Sequence, residues 1–175
     1  MPLRFAFAGL ALLGTLWCSV SPAAPLALPD VQASLQAQGA HSTQTTAPVA
    51  TPMEQTEARR LVARHLDKRL LSTARRIEGW TFLLPPTDAG ATPDIGIVLL
   101  DYRDEATATQ QHERLARQAR HFKHSKVLTP FGSAAAGTQV VIVFTGKAGN
   151  PVLARLVRTL PGDLQARRHG SGSHP

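Results

Sequence analysis

Two uninterrupted apolar runs constrain this chain most. In Thr138-Gln139-Val140-Val141-Ile142-Val143-Phe144-Thr145, four β-branched apolar residues and a phenylalanine stand together, closed by Gly146 and then by Gly149-Asn150-Pro151. A short run without polar alternation, bounded by turn residues, reads as a strand buried on both faces. Ile95-Gly96-Ile97-Val98-Leu99-Leu100 is a second run of the same kind and the natural neighbour of the first in a sheet.

The segments around these runs carry the helical period. Thr51-Pro52-Met53-Glu54 has the pattern of a capping box with proline at the first helical position, and predicts a helix that continues until Gly79. Ala58, Val62, Leu66, Leu70 and Ile77 fall along one side of it, with Leu61 and His65 close by. Arg60, Arg64, Lys68 and Arg75 fall on the opposite side, interrupted by Asp67, which makes an amphipathic helix with a basic outer stripe. Trp80-Thr81-Phe82-Leu83-Leu84 then reads as a short strand stopped by Pro85-Pro86, with a loop over 87–93.

After the strand over 94–102, a helix starts at Asp104. Its seam is Ala108, His112, Leu115, Ala119 and Phe122, and Glu113, Arg114, Arg117 and Arg120 face outward. Residues 125–129 are a brief strand candidate and 130–137 a loose loop. Asn150 and Pro151 start a last helix over 152–160, which Pro161-Gly162 ends.

The predicted order is α-β-β-α-β-β-α, an α+β domain with an antiparallel, about four-stranded sheet and helices packed on one face. This order is similar to that of circularly permuted ferredoxin-like domains, which occur in periplasmic parts of bacterial secretion and pilus assembly systems. The resemblance rests on element order, so it implies a fold and leaves function to the site.

A length of 175 residues accommodates one ordinary domain with extensions. Residues 1–23 read as a secretory signal peptide: Arg4, then an apolar run to Val20, then the small residues Ser21-Pro22-Ala23-Ala24. The run is about 16 residues, short of the ~20 that a membrane-spanning helix needs. Residues 24–50 are rich in Pro, Ala, Gln, Ser and Thr, with Asp30 the only charge, and read as a flexible linker in which 31–38 form at most a fraying turn of helix. The folded domain is then expected over 51–161, with a disordered tail over 162–175. Cys18, the only cysteine, lies in the leader, so the exported chain carries no disulfide, thiolate nucleophile or cysteine-ligated metal. A periplasmic or secreted location follows from the leader.

Candidate chemistry is sparse. His121 and His124 share a helix face, but no third ligand stands at a useful spacing. His65 and His112 lie near apolar seams, where a backbone carbonyl satisfies an edge-of-core histidine. Asp101, Asp104 and Glu105 gather at a strand-to-helix junction, where acids are preferred as caps. Gly146-Lys147-Ala148-Gly149 lacks the hydroxyl residue after lysine that a phosphate loop needs. Ser125 and Ser133 lack an elbow motif, and Trp80, Phe82 and Phe144 are explained by core packing rather than by base stacking.

No catalytic set, cofactor, metal or nucleic acid is therefore expected. What remains is a net charge of +7 and the basic positions Arg60, Arg64, Lys68, Arg75, Arg117 and Arg120. The expectation is a non-enzymatic exported adaptor that binds another envelope protein. The alternative is a module for acidic glycans or lipid head groups.

Overall fold

The computed structural model describes residues 24–38, 49–83, 94–119, 131–145 and 151–170. The two apolar runs form adjacent strands. β3 (Asp94–Asp101) pairs antiparallel with β5 (Gln139–Phe144), with Val98 opposite Ile142 and Leu99 opposite Val141. Every residue of β5 is buried. Around this pair the sheet grows to five antiparallel strands in the order β1-β2-β3-β5-β4, where β1 is Val49–Pro52, β2 is Arg76–Leu83 and β4 is Phe131–Ala136.

The α+β class stands, and the sheet has one strand more than expected. The helices cover both faces, not one, because the central runs are apolar at both parities of the pleat. Ile95, Ile97, Leu99, Val141 and Val143 face one layer, formed by α1 (Leu28–Ala37) and α5 (Pro151–Gly170). Val98, Leu100, Val140, Ile142 and Phe144 face the other, formed by α2 (Gln55–His65), the short α3 (Arg69–Ser72) and α4 (Glu105–Ala119). Each fully buried aliphatic side chain contributes roughly 1.5–3 kcal/mol relative to exposure, so neither face could be left bare.

Several local expectations change once the sheet forms. Thr51-Pro52 is the end of edge strand β1, opposite Thr81 and Trp80, rather than a helix cap. Proline is tolerated at a sheet edge, and Glu54 takes the N-cap position of α2 instead. The long helix to Gly79 is divided: α2 ends at His65, α3 at Ser72, and Ile77 and Gly79 lie in β2. Its apolar seam survives the division, since Ala58, Val62, Leu66, Leu70 and Ile77 all enter one buried cluster.

Phe131-Gly132-Ser133-Ala134-Ala135-Ala136 is a strand and not a loose loop, because pairing with β5 overrides the low β-propensity of glycine and alanine. Phe122, residues 125–129 and residues 146–150 lie outside the described residues.

The two ends of the domain also differ from the linker and tail expected over 24–50 and 162–175. Within the first, α1 forms and buries Val31 and Leu35 completely. At the other end α5 runs through Pro161 to Gly170. A proline inside a helix leaves the carbonyl four residues earlier without its donor, here that of Val157. Gly132 of β4 makes room for it: a Cβ on Gly132 would lie 1.9 Å from the Val157 oxygen. The freed carbonyl is thus accommodated rather than crowded, and α5 continues far enough to bury Leu164 and Arg168.

Candidate functional site

The basic residues singled out in the sequence divide into a cluster and outliers. Arg60 and Arg64 are one helical turn apart on α2, both exposed, and exposed Lys68 follows in the turn after it. Arg75 is exposed as well but leaves this helix: its amide donates to the Asp101 carbonyl at 2.8 Å at the entry to β2. Arg117 is exposed on α4, and Arg120 lies outside the described residues. Among the described residues the ion pairs are Arg76–Glu78, Arg103–Asp104 and Arg167–Asp163, and none of them involves Arg60, Arg64, Lys68, Arg75 or Arg117.

Asp67, which interrupts the basic stripe in the sequence, is withdrawn from it. Its carboxylate is buried, accepting from the Arg69 amide at 2.9 Å and from the Gln118 amide of α4 at 2.8 Å. Burial raises its pKa, but these two hydrogen bonds and the guanidinium groups of Arg69 and Arg114 outweigh that and hold it below the usual carboxylate value. Asp67 therefore links the α2–α3 turn to the end of α4, and the exposed acid that stands within a helical turn of Arg60 on α2 is Glu57. Arg64 also serves the helix itself, because a cation in the last turn of α2 complements its dipole.

The acidic junction is structural. Asp104 Oδ1 accepts from the Thr107 amide at 2.8 Å and from the Thr107 hydroxyl at 2.6 Å, an N-cap for α4. Those two bonds, with Arg103 beside them, lower its pKa to about 2. Asp101 accepts from the Thr138 hydroxyl at 3.0 Å. Both carboxylates thus have defined partners in the scaffold. Tyr102 is buried, and its hydroxyl donates to the Leu70 carbonyl at 3.0 Å, tying β3 to α3. Burial drives its pKa upward, so it stays protonated. Among the described residues no group of three or more His, Cys, Asp or Glu side chains is placed to hold a metal ion.

The two sheet edges differ in a way that bears on binding. β1 is four residues long and ends in Pro52. β4 is six residues long and consists of a phenylalanine followed by glycine, serine and alanine, with no charge and no proline. Its hairpin to β5 turns on Gly137-Thr138, and Gly137 has φ +59°. With a two-residue turn, Ala136 and Gln139 form a hydrogen-bonded pair, so the backbone groups of Phe131, Ser133 and Ala135 point away from β5. One of these outward carbonyls, that of Ser133, accepts a hydrogen bond from His112 Nε2 of α4 at 3.2 Å. His112 is thus satisfied by a backbone carbonyl and ties α4 to this edge.

On the opposite face, residues with no sequence motif hold the N-terminal segment. Gln139, 4% exposed, clamps the backbone of Leu26: its Oε1 accepts from the Leu26 amide at 2.7 Å and its Nε2 donates to the Leu26 carbonyl at 3.3 Å. Arg168, near the end of α5, donates to the Ala24 carbonyl. The guanidinium lies against Gly137, where any Cβ would fall 2.0 Å from its Nε. A pocket of about 280 Å³ opens beside this segment, lined by Pro25 and Leu28 and by Arg76, Glu78, Trp80 and Asp101 of the sheet. The only hint of this in the sequence is a glutamine at the head of the most apolar strand.

No protein-family model matches the chain, and neither a curated protein nor a solved structure matches it.

Proposed function

We propose that this chain is a non-enzymatic, exported accessory domain that binds another envelope protein through the basic surface of α2. The observation that carries the proposal is the withdrawal of Asp67. With that acid buried, Arg60, Arg64 and Lys68 form an exposed cationic surface with no ion pair to one another's neighbours among the described residues. Such a surface favours an acidic protein patch through charge-assisted hydrogen bonds. Asp101 and Asp104, which a hydrolase would need free, serve instead in the hairpin and the α4 cap. The antiparallel order β2-β3-β5-β4, with α2 and α4 on one face, is compatible with the permuted ferredoxin-like order expected from the sequence.

Affinity purification from envelope extracts at low and high salt tests this, followed by reconstitution with the recovered protein. The expected result is one defined protein partner that is recovered at low salt, weakens as salt rises, and binds at least tenfold more weakly to an Arg60→Glu/Arg64→Glu variant. Retention on anionic vesicles or acidic glycan alone, lost with salt, would replace the adaptor with the polyanion-binding module. A partner bound equally well by the variant would exclude the α2 surface.

A further inference from the structure

The N-terminal segment 24–38 is held as a ligand is held. Its extended part is read through the backbone, by the two-point clamp of Gln139 on Leu26 and by Arg168 on the Ala24 carbonyl. Its helical part inserts Val31 and Leu35, each 0% exposed, into the layer formed by α5. The segment contributes no strand to the sheet, so it can leave without breaking a ladder. Its seat is imperfect in two places. The pocket of about 280 Å³ lies beside residues 25–29, and the buried Ser34 hydroxyl finds no partner among the described residues. The orphaned hydroxyl regains hydrogen bonds to water on opening, which lowers the cost of opening.

We propose that segment 24–38 exchanges between molecules, so that the groove between α5 and the sheet is a docking site for the same segment of a second copy of this chain. The groove recognises backbone at Ala24 and Leu26 and apolar side chains at positions 26, 31 and 35, and the occupant seated in it is this chain's own segment. Every contact made within one chain is reproduced between two, and a reciprocal exchange fills both grooves under two-fold symmetry. The ten residues 39–48 join the segment to β1, and ten extended residues reach about 35 Å, the width of a small domain. Concentration therefore shifts the balance from the closed monomer to the exchanged dimer. This inference stands apart from the α2 surface and the adaptor reading.

The test uses Gln38 and Thr159, whose side chains are hydrogen-bonded across the junction of α1 and α5. Cys18 is the only native cysteine, so a Cys18→Ala background gives a clean chain. The double variant Gln38→Cys/Thr159→Cys is expected to form an intrachain disulfide at low concentration. A mixture of the two single variants is expected to form the mixed-chain disulfide several-fold in excess of either like-with-like dimer, increasingly with concentration. Intrachain bridging without that preference overturns the proposal, and so does failure of both when a short flexible bismaleimide joins the two thiols in place of the direct disulfide, since the contact itself would then be absent. Hydrogen exchange on the unmodified chain gives an independent reading. The amides of 28–38 should exchange through an opening that leaves β3 and β5 protected, whereas exchange only together with those strands would mark the segment as fixed.

Discussion

The two layers that cover the sheet are made from different kinds of sequence. The α2–α4 layer comes from segments with an amphipathic period and charged outer faces. It is tied by side chains that reach between elements, Tyr102 to α3 and Gln118 to Asp67. The α1–α5 layer comes from a segment whose composition resembles a linker and from a helix that continues past its expected end into a segment that resembles a tail. It is tied by side chains that grip backbone, Gln139 on Leu26 and Arg168 on Ala24, and by the approach of α5 to Gly132. A helix with a charged outer face announces itself. A helix that contains a proline, or has few charges, is stabilised mainly by what it packs against.

The comparison is broken most severely at Gly132. A Gly132→Val change places a Cβ against the Val157 carbonyl and should cost about 3 kcal/mol in chemical denaturation, or displace α5 from β4. A cost below about 0.5 kcal/mol would show that the α1–α5 layer tolerates slack the other does not.

A matched pair tests the polar contacts of the two layers with opposite signs. Tyr102→Phe leaves the buried Leu70 carbonyl without its donor and should destabilise by about 1 kcal/mol. Ser34→Ala removes a hydroxyl that has no partner, in a helix where alanine is preferred, and should stabilise by up to about 1 kcal/mol. Equal signs in denaturant midpoints would contradict the difference drawn between the layers.

The smallest effect is confined to acid. Asp104 has its pKa lowered from 3.8 to about 2 in the folded chain, so the stabilisation from its ionised cap is fully present above about pH 4. It is lost as pH falls toward 2. Asp104→Asn keeps an acceptor for Thr107 but cannot titrate. The stability advantage of the parent chain over this variant should therefore shrink between pH 4 and pH 2, followed by thermal melts. A constant difference would mean that the carboxylate charge contributes nothing to the cap.

Much of the core was legible because its signals are local. Val140 to Phe144 and Ile95 to Leu100 needed no partner to be recognised as strands buried on both faces. That double burial already required cover on both sides, which a one-faced helical layer does not supply. The seam Ala58, Val62, Leu66, Leu70 and Ile77 also points inward as expected, although it is spread over two helices and a strand. The cap signal at Thr51-Pro52 misleads because the same two residues satisfy a sheet edge, and pairing with β2 decides between the alternatives. Of the candidate surface, Arg60 and Arg64 were legible as a helical pair, whereas the inward turn of Asp67 depends on Gln118, which is 51 residues away.

Sequence alone therefore determined the α+β class, the two central strands, the α4 cap at Asp104 and the basic character of α2. Each follows from spacing within a few residues. Tertiary structure decided which elements cover the second face, that the β4 segment is a strand, that α5 passes through Pro161, and that Gln139 and Arg168 hold the N-terminal segment. These depend on groups far apart in the chain: the carbonyl freed by Pro161 meets Gly132, 25 residues before Val157, and Gln139 meets Leu26, 113 residues away. The physical reason is the same throughout. A local pattern states what a segment must bury or hydrogen-bond, and only the folded chain supplies the partner.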